Sequence, residues 1–496
     1  MIRSVFNGKE DKTMKRIAFG LLTLALTLVA CNKNDIDLSP VDNNVETNEG
    51  IPFTATISAG DNVVTRALTE SGNTLVATWA VGEKVALVHN SRKDEMTVSE
   101  VNDGVATITG TITGWPATGD AVTIFYPSTA AEDFPNEITG EIGLKDDVLD
   151  GQNGQLTGAG SIAEKYDVRK GSGTLKVSGG TATLDGNVSL TNQFAIFKFT
   201  VCLYHGDEVN AFCPVLLRIT IGSDTYTITA DGWDEVLYVA LPAVDGKKVI
   251  FDAEDDRGEM YTCAKLNTTF AAGKFYQTRL KMRQCVLMGE GYNLRWAVCN
   301  MGFARQADDY GDYYAWGATA TQTTYDWAHY PFMQAGQNDF NHINKYTIAD
   351  GWKDGIWYSS DTFIGDGKTS FADYDYVDDV ARQQWGGTWH IPTEEEWQAL
   401  KNPENFIWTW KTDYNCKKGM LVTSKVPGYS GNQIFLPAAG CYEGSSINLE
   451  GAYGYYWSSS LSNYTMSARY FGISSSGTGG GQIYRHNGCS VRAVAE

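Results

Sequence analysis

The residues able to do chemistry in this chain of 496 are numerous but poorly grouped. Six histidines, His89, His205, His329, His342, His390 and His486, show no H-E-x-x-H and no partner at metal-ligand spacing, so a zinc hydrolase has no ligand set. His390 reads as a packing neighbour of Trp389. The stretch GDGKTS at 365–370 has the lysine and threonine of a phosphate loop, yet the first glycine of G-x-x-x-x-G-K-[ST] falls on Thr362, and no apolar strand leads into it. Glu394 and Glu396 are the carboxylates to weigh for glycosidic chemistry, but a helix N-terminus accounts for both, since negative charge there offsets the macrodipole. Asp373, Asp375, Asp378 and Asp379 lack the glycine and terminal glutamate of a calcium loop and read as a solvated acidic turn. The expectation is no catalytic residue, no metal, no cofactor and no enzyme activity.

A different chemistry is written in Ser458–Asn487, where eighteen of thirty residues are Ser, Gly, Tyr or Asn and only Arg469 and Arg485 carry charge. Tyrosine gives large rigid contact area, and Ser, Gly and Asn give adaptable hydrogen bonds, so this composition suits a surface that binds protein or glycan with little loss of entropy. Along Arg469–Ser474, alternation puts Phe471 and Ile473 on one face of a strand and Tyr470, Gly472 and Ser474 on the other, the first pair buried and the second set displayed. The ligand-binding residues expected from this segment are Ser460, Leu461, Ser462, Asn463, Tyr464, Tyr470, Gly472, Ser474, Tyr484 and His486. Their ligand is an unidentified protein or glycan.

Elements must position such a surface, and the chain divides into four textures. Met14-Lys15-Arg16 followed by the apolar run Ile17–Val29 and then Leu28-Val29-Ala30-Cys31 is too short to span a bilayer core of about 30 Å as a helix. It resembles a bacterial lipoprotein signal with its lipobox, which makes residues 1–30 a signal peptide and Cys31 the acylated first mature residue. Residues 31–50 are almost devoid of apolar side chains and read as a flexible tether. The expected location is therefore a lipid-anchored position on the outer membrane, at the cell surface, with the anchor as the only membrane contact. Nucleic acid is excluded as a partner by a net charge of −20, with 39 basic against 59 acidic residues and no local basic cluster. The remaining cysteines, Cys202, Cys213, Cys263, Cys285, Cys299, Cys416, Cys441 and Cys489, include no C-x-x-C pair and are too widely spaced to imply a disulfide framework.

Residues 51–284 are written in strands. IPFTATIS, KVALVH, GVATITGTITG, AVTIFYP, FAIFKFTVCLY, LLRITIGSDTYTITA and VLYVALP are β-branched and aromatic runs separated by Gly, Asn and Asp. They predict a β-sandwich region of two units, with a break near 150–180 where GQNGQLTGAGS and KGSGTLKVSGG lie. The opening IPFTATI, then Thr65-Arg66-Ala67, then ATWAVGEKVALVH, resembles the fimbrillin-like domains of Bacteroidetes surface lipoproteins and pilus components. That resemblance implies Arg66 as a proteolytic maturation site and pilus subunits as partners. The alternative function is accordingly a fimbrial or pilus structural or assembly subunit with the C-terminal region as its cap, and a third, more distant, is an exported glycan-active enzyme.

Residues 285–496 hold eleven of the fourteen tryptophans and long Asp/Gly/Tyr loops. WHIPTEEEWQAL predicts a helix with Thr393 as N-cap and Glu396 completing a capping box. NLRWAVCNMG, YGDYYAWG, DDVARQQWGGTWHIPTEEEW, IFLPAAG, GYYWSSS and RHNGCSVRAV are similar, in order and spacing, to the Fibrobacter succinogenes major paralogous domain, a branch of the C-type-lectin-like fold. The whole chain is thus expected to be a mainly-β sandwich region followed by an α+β C-type-lectin-like domain, an adhesin-like lipoprotein. The related formylglycine-generating enzymes use a cysteine pair near the domain end, but here only Cys489 lies in the last strand and is read as packing. KNPENF inverts the Glu-Pro-Asn order of calcium-dependent lectins, so that sugar mechanism is not carried over. In related proteins the interval around 460–487 is the variable region of diversity-generating retroelements. Rewriting of asparagine codons reaches the residue types at Leu461, Ser462, Asn463, Tyr464, Tyr470, Gly472, Ser474, Tyr484 and His486, but not Met466 or Gln482.

Overall fold

In the computed structural model the described residues are 50–59, 69–71, 74–76, 78–133, 149, 151–205, 208–289, 294–347 and 365–496. The apolar leader, Cys31, the tether and Arg66 lie outside them. Strands make up 51% of the described residues and helix 8%, which places the structure in the mainly-β class. Among the described residues no helix is long and apolar enough to cross a membrane.

Ile51–Ala59 shows why the first region is a sheet. Its alternation buries Phe53, Ala55 and Ile57 and exposes Thr54 and Thr56. The strand lies antiparallel to Val105–Ile112 and parallel to Val188–Asn192. Eight strands ending at Asn192 form one sheet, and pairing of Val188–Asn192 with Arg169–Ser178 closes it into a barrel-like ring around a core of Ile, Val, Leu and Phe.

The break expected near 150–180 is not found there. Arg169–Ser178 is a ten-residue strand of this sheet, and the change of sheet comes between Asn192 and Ala195. The glycines read as punctuation serve close approach instead. A Cβ at Gly171 would lie 2.6 Å from the Ser189 carbonyl oxygen, and one at Gly173 would lie 2.7 Å from Val188. Gly171 and Gly173 let the closing strand come near.

The second sheet system runs from Ala195 to Leu287 around Phe197, Phe199, Leu217, Ile219, Phe251 and Leu280, and it is extended by Arg295–Ala297. That short strand pairs with the far end of the chain, Val494–Ala495, through Trp296↔Val494 and Arg295↔Ala495. Residues 295–496 therefore begin and end side by side. Between lie, among the described residues, long loops, two short α-helices and small sheets, with two cores: one built on Trp316, Tyr346, Phe371, Trp389 and Trp457, the other on Trp296, Trp397, Phe406, Tyr456 and Phe471.

The helices α1 (Val380–Trp385) and α2 (Glu394–Ala399) start where local chemistry dictates. Thr393 Oγ1 accepts from the Glu396 amide at 3.1 Å while Glu396 Oε2 accepts from the Thr393 amide at 2.7 Å, the capping box that the sequence predicts. Glu396 also meets His390 Nε2 at 3.1 Å, so His390 is an ion-pair partner rather than only a neighbour of Trp389. The acidic turn differs from its solvated reading. Asp379 is fully buried, accepts from the amides of Ala381, Arg382 and Ile391, and caps α1, while Asp378 is buried against Lys345 and the Tyr346 hydroxyl. Chain direction makes the difference: backbone amides turning into α1 need an acceptor, and a carboxylate supplies it.

Candidate functional site

Tyr453–Leu461, Ser467–Ser474 and Gly477–Tyr484 form a three-stranded antiparallel sheet, with Tyr456↔Phe471, Tyr455↔Gly472, Tyr470↔Gly481 and Ser467↔Tyr484 in register. The alternation read from the sequence holds for the inward pair. Phe471 and Ile473 are buried, and the Phe471 ring stacks on Trp397 with centroids 4.6 Å apart and planes 5° apart.

The opposite face is not displayed. Trp457, on the same face as Tyr470, is fully buried in the Trp316 core, and Tyr455, Tyr470 and Leu461 pack against that core as half-buried side chains. Tyr453, Tyr455 and Tyr470 form a run of rings with centroids 4.5 and 5.0 Å apart, and burial pushes the Tyr470 hydroxyl up to about 12. The two inner strands are thus largely covered on both faces, because segments from residues 313–346 and 441–442 close over the side that the sequence leaves open, while the outer strand Gly477–Tyr484 has no buried residue.

The glycines follow from this packing. A Cβ on Gly472 would sit 2.6 Å from the Tyr453 hydroxyl oxygen, and one on Gly481 would sit 2.6 Å from that of Tyr470. Tyrosine rings lie across the neighbouring strands where only glycine leaves room. Gly479 and Gly480 are different: a Cβ there meets nothing closer than 3.7 Å.

Several expected ligand-binding residues are therefore structural. Ser460 Oγ accepts from the Glu394 amide at 2.9 Å and holds the start of α2. Ser462 is buried, hydrogen-bonded to Gln482 Oε1, and accepts from the Tyr464 amide at 3.1 Å. Gly472 is buried under Tyr453, and Ser474 bonds Ser476 within the hairpin turn at 2.7 Å. His486 is buried, its Nδ1 3.0 Å from the Tyr325 carbonyl oxygen, and burial pushes its pKa down.

Three of the ten are exposed. Asn463 and Tyr464 sit in the turn between the first two strands, and Tyr484 ends the outer strand, with Tyr464 and Tyr484 retaining 40% and 45% of their surface. They lie at one end of the sheet, since Ser467, paired with Tyr484, donates its amide to the Tyr464 carbonyl at 2.8 Å. Tyr484 stacks on His486 at 5.6 Å, and both meet Trp327, at 5.8 and 4.5 Å. Trp327 is a residue that sequence reasoning misses. The tryptophan richness of the region is the one signal that points to it.

Arg485, between Tyr484 and His486, fixes this end of the sheet. It is fully buried, and its guanidinium donates to the Tyr330 hydroxyl (2.9 Å) and to the carbonyls of Thr465 (2.9 Å), Lys345 (2.9 Å) and Tyr346 (3.2 Å). Burial pushes its pKa down from the usual arginine value. Arg492 does the same for the last strand, donating to Asn300, Ala297, Val298 and Phe435. The result is two exposed tyrosines on a frame with little freedom to move.

No family model matches this chain, and no curated protein matches it. Solved structures share limited similarity with it. A fimbrial assembly protein from Parabacteroides distasonis is 11% identical over 48% of this chain and 94% of its own, with a TM-score of 0.28. A fimbrial protein from Bacteroides ovatus is 11% identical over 90% of this chain and 100% of its own, at 0.25. A fimbrilin from Porphyromonas gingivalis is 13% identical over 42% and 72%, at 0.19. Scores of this size do not define a common architecture.

Proposed function

We propose that this protein is a surface-displayed lipoprotein adhesin, acylated at Cys31, with a fimbrillin-like stalk over residues 51–284 and a C-type-lectin-like head over 285–496 that binds a protein or glycan. The observation that carries the binding reading is the pair Tyr464 and Tyr484, two large exposed aromatics held at one end of a sheet whose two inner strands are largely buried. Rigid amphipathic rings on a fixed frame lose little entropy on contact. Diversification by a retroelement, in this reading, acts with greatest freedom at Asn463, Tyr464 and Tyr484, because a side chain at Gly472 meets the Tyr453 ring.

The test is a screen of immobilised glycans and of cell surfaces with the wild-type chain and the variants Tyr464→Ala and Tyr484→Ala. Each variant is expected to lose about 1–3 kcal/mol of binding free energy, with folding stability changed by no more than about 0.5 kcal/mol for Tyr464→Ala and by about 0.5–1.5 kcal/mol for Tyr484→Ala, which loses its contacts with Trp327 and His486. Folded variants with unaltered binding would move the site elsewhere. Detergent phase separation of Cys31→Ala checks the anchor independently, with loss of membrane partition as the expected result.

A second reading, a fimbrial subunit matured at Arg66, draws on Ile51–Ala59. This strand is paired on both edges and fills the first core with Phe53 and Ile57. Its release would open a groove of matching length.

A further inference from the structure

Cys441 and Cys489 fall in separate sequence blocks, yet the fold sets them opposite each other. The Tyr442 amide donates to the Gly488 carbonyl at 2.8 Å, and the Gly488 amide donates back to the Tyr442 carbonyl at 3.0 Å, making Tyr442 and Gly488 a hydrogen-bonded antiparallel pair. One step along each chain, Cys441 faces Cys489. The Cys489 amide and carbonyl turn the other way, to Tyr314, at 3.0 Å each. Cys441 and Cys489 therefore occupy a non-hydrogen-bonded position, where facing Cα atoms typically lie about 4.5 Å apart. Disulfides accept Cα separations of about 4.4–6.8 Å. Directly opposite residues share a face, and both cysteines belong to the same core cluster and are buried.

We infer that Cys441 and Cys489 are a disulfide-forming pair whose bond staples together the two ends of the segment carrying the exposed tyrosines. Residues 442–488, which include all three strands of that sheet, become a closed loop. A small-molecule disulfide such as oxidised glutathione is the oxidant. The Cys441 thiolate attacks one sulfur and expels a glutathione thiolate. Cys489, deprotonated, then attacks the Cys441 sulfur and expels the second, so two protein thiols and one disulfide become one protein disulfide and two glutathione thiols. In the folded protein burial pushes the Cys441 thiol up to about 11 and the Cys489 thiol higher still. Thiols this hard to ionise react slowly once packed, so the bond forms while the chain is folding.

The pairing is selective. Cys202 and Cys263 also lie within electrostatic reach of each other, but Cys202 is in Ala195–His205 and Cys263 in Met260–Phe270, strands that are not paired. Refolding the full chain from denaturant with reduced and oxidised glutathione, followed by proteolysis without reductant and mass spectrometry, tests the inference without reference to any ligand or cell surface. The expected product joins the Cys441 and Cys489 peptides at about 2 Da below their summed reduced masses, and oxidation raises the melting temperature by about 5–15 °C. Cys441→Ala should abolish both the linked peptide and the shift, while Cys202→Ala leaves both. Alkylation of both thiols after oxidative refolding, or linkage of either to another cysteine, would overturn the pairing.

Discussion

The closed sheet of residues 51–192 and the loop-rich region of residues 295–496 solve the same problem, the burial of backbone polar groups, by different means. In the first, strands pair with strands: Ile51–Ala59 alone has eight consecutive partners in Val105–Ile112, and the side chains between are largely aliphatic. In the second, long side chains satisfy the carbonyls of loops. Arg485 and Arg492 between them reach oxygen atoms in seven other residues plus a hydroxyl, and the indoles of Trp316, Trp397 and Trp457 donate to the carbonyls of Ser458, Trp457 and Tyr314. A ladder distributes its bonds over many residues. A guanidinium concentrates them in one, so the loop-rich region depends on fewer side chains.

That contrast can be broken most directly at Arg485. Arg485→Met should cost roughly 3–5 kcal/mol, because three carbonyls and a hydroxyl lose their donor in a dry site. Hydrogen exchange should rise first around Thr465 and Lys345–Tyr346 while the sheet of residues 51–192 stays protected. Ile57→Ala, with a cavity cost of about 2–5 kcal/mol, should show the reverse pattern. Equal exchange in both regions for both variants would mean that the two are held as one.

A smaller effect sharpens the account of the glycine-rich strand. Gly481→Ala should lose about 1–3 kcal/mol by driving the new methyl into the Tyr470 ring. Gly480→Ala, with open space around its Cβ, should change stability by no more than about 0.5 kcal/mol. Denaturant melts of the two variants decide whether the glycines are specific or interchangeable.

The smallest effect concerns His390 and Glu396. Burial pulls the His390 pKa down, but the hydrogen bond and charge of Glu396 more than reverse it, leaving it raised; burial pushes Glu396 up, but His390 outweighs that and leaves it lowered. A histidine raised above its unfolded value contributes fully below about pH 6.5 and loses its contribution as pH rises through the folded pKa. A glutamate lowered below its unfolded value contributes fully above about pH 4.5 and loses its contribution as pH falls through the folded pKa. The pair therefore stabilises most between about pH 4.5 and 6.5, by about 1–2 kcal/mol, and His390→Ala should lower stability within that window and flatten its fall above and below it in melts taken at several pH values.

What can be read in advance is whatever depends on local spacing. The strands of residues 51–241, the capping box at Thr393 and Glu396, and the inward Phe471 and Ile473 all follow from periods of two or from a fixed offset of three. What cannot be read depends on distant chain. An arginine alone in a polar segment looks solvated, and nothing near Arg485 in sequence reveals Tyr330, Lys345 and Tyr346 as its acceptors. Gly472, Ser462 and His486 look displayed until Tyr453, Gln482 and Tyr325 are brought to them. Gly171 and Gly173 look like a break until Val188–Asn192 arrives beside them. Composition points to an aromatic binding surface, but burial leaves only Asn463, Tyr464 and Tyr484 of the ten expected binding residues exposed.

The pairing of Trp296 with Val494 has a consequence for synthesis. Residues almost two hundred positions apart must meet before the loop-rich region can close, and contacts of such separation are slow to form because the intervening chain must first be gathered. The sheet of residues 51–192 has all its strands in hand long before Val494 is made. Vectorial synthesis therefore lets the first region mature early while the tryptophan-rich half waits, its apolar surface open, for its final strand. Chaperone demand should accordingly fall on the later half of the chain.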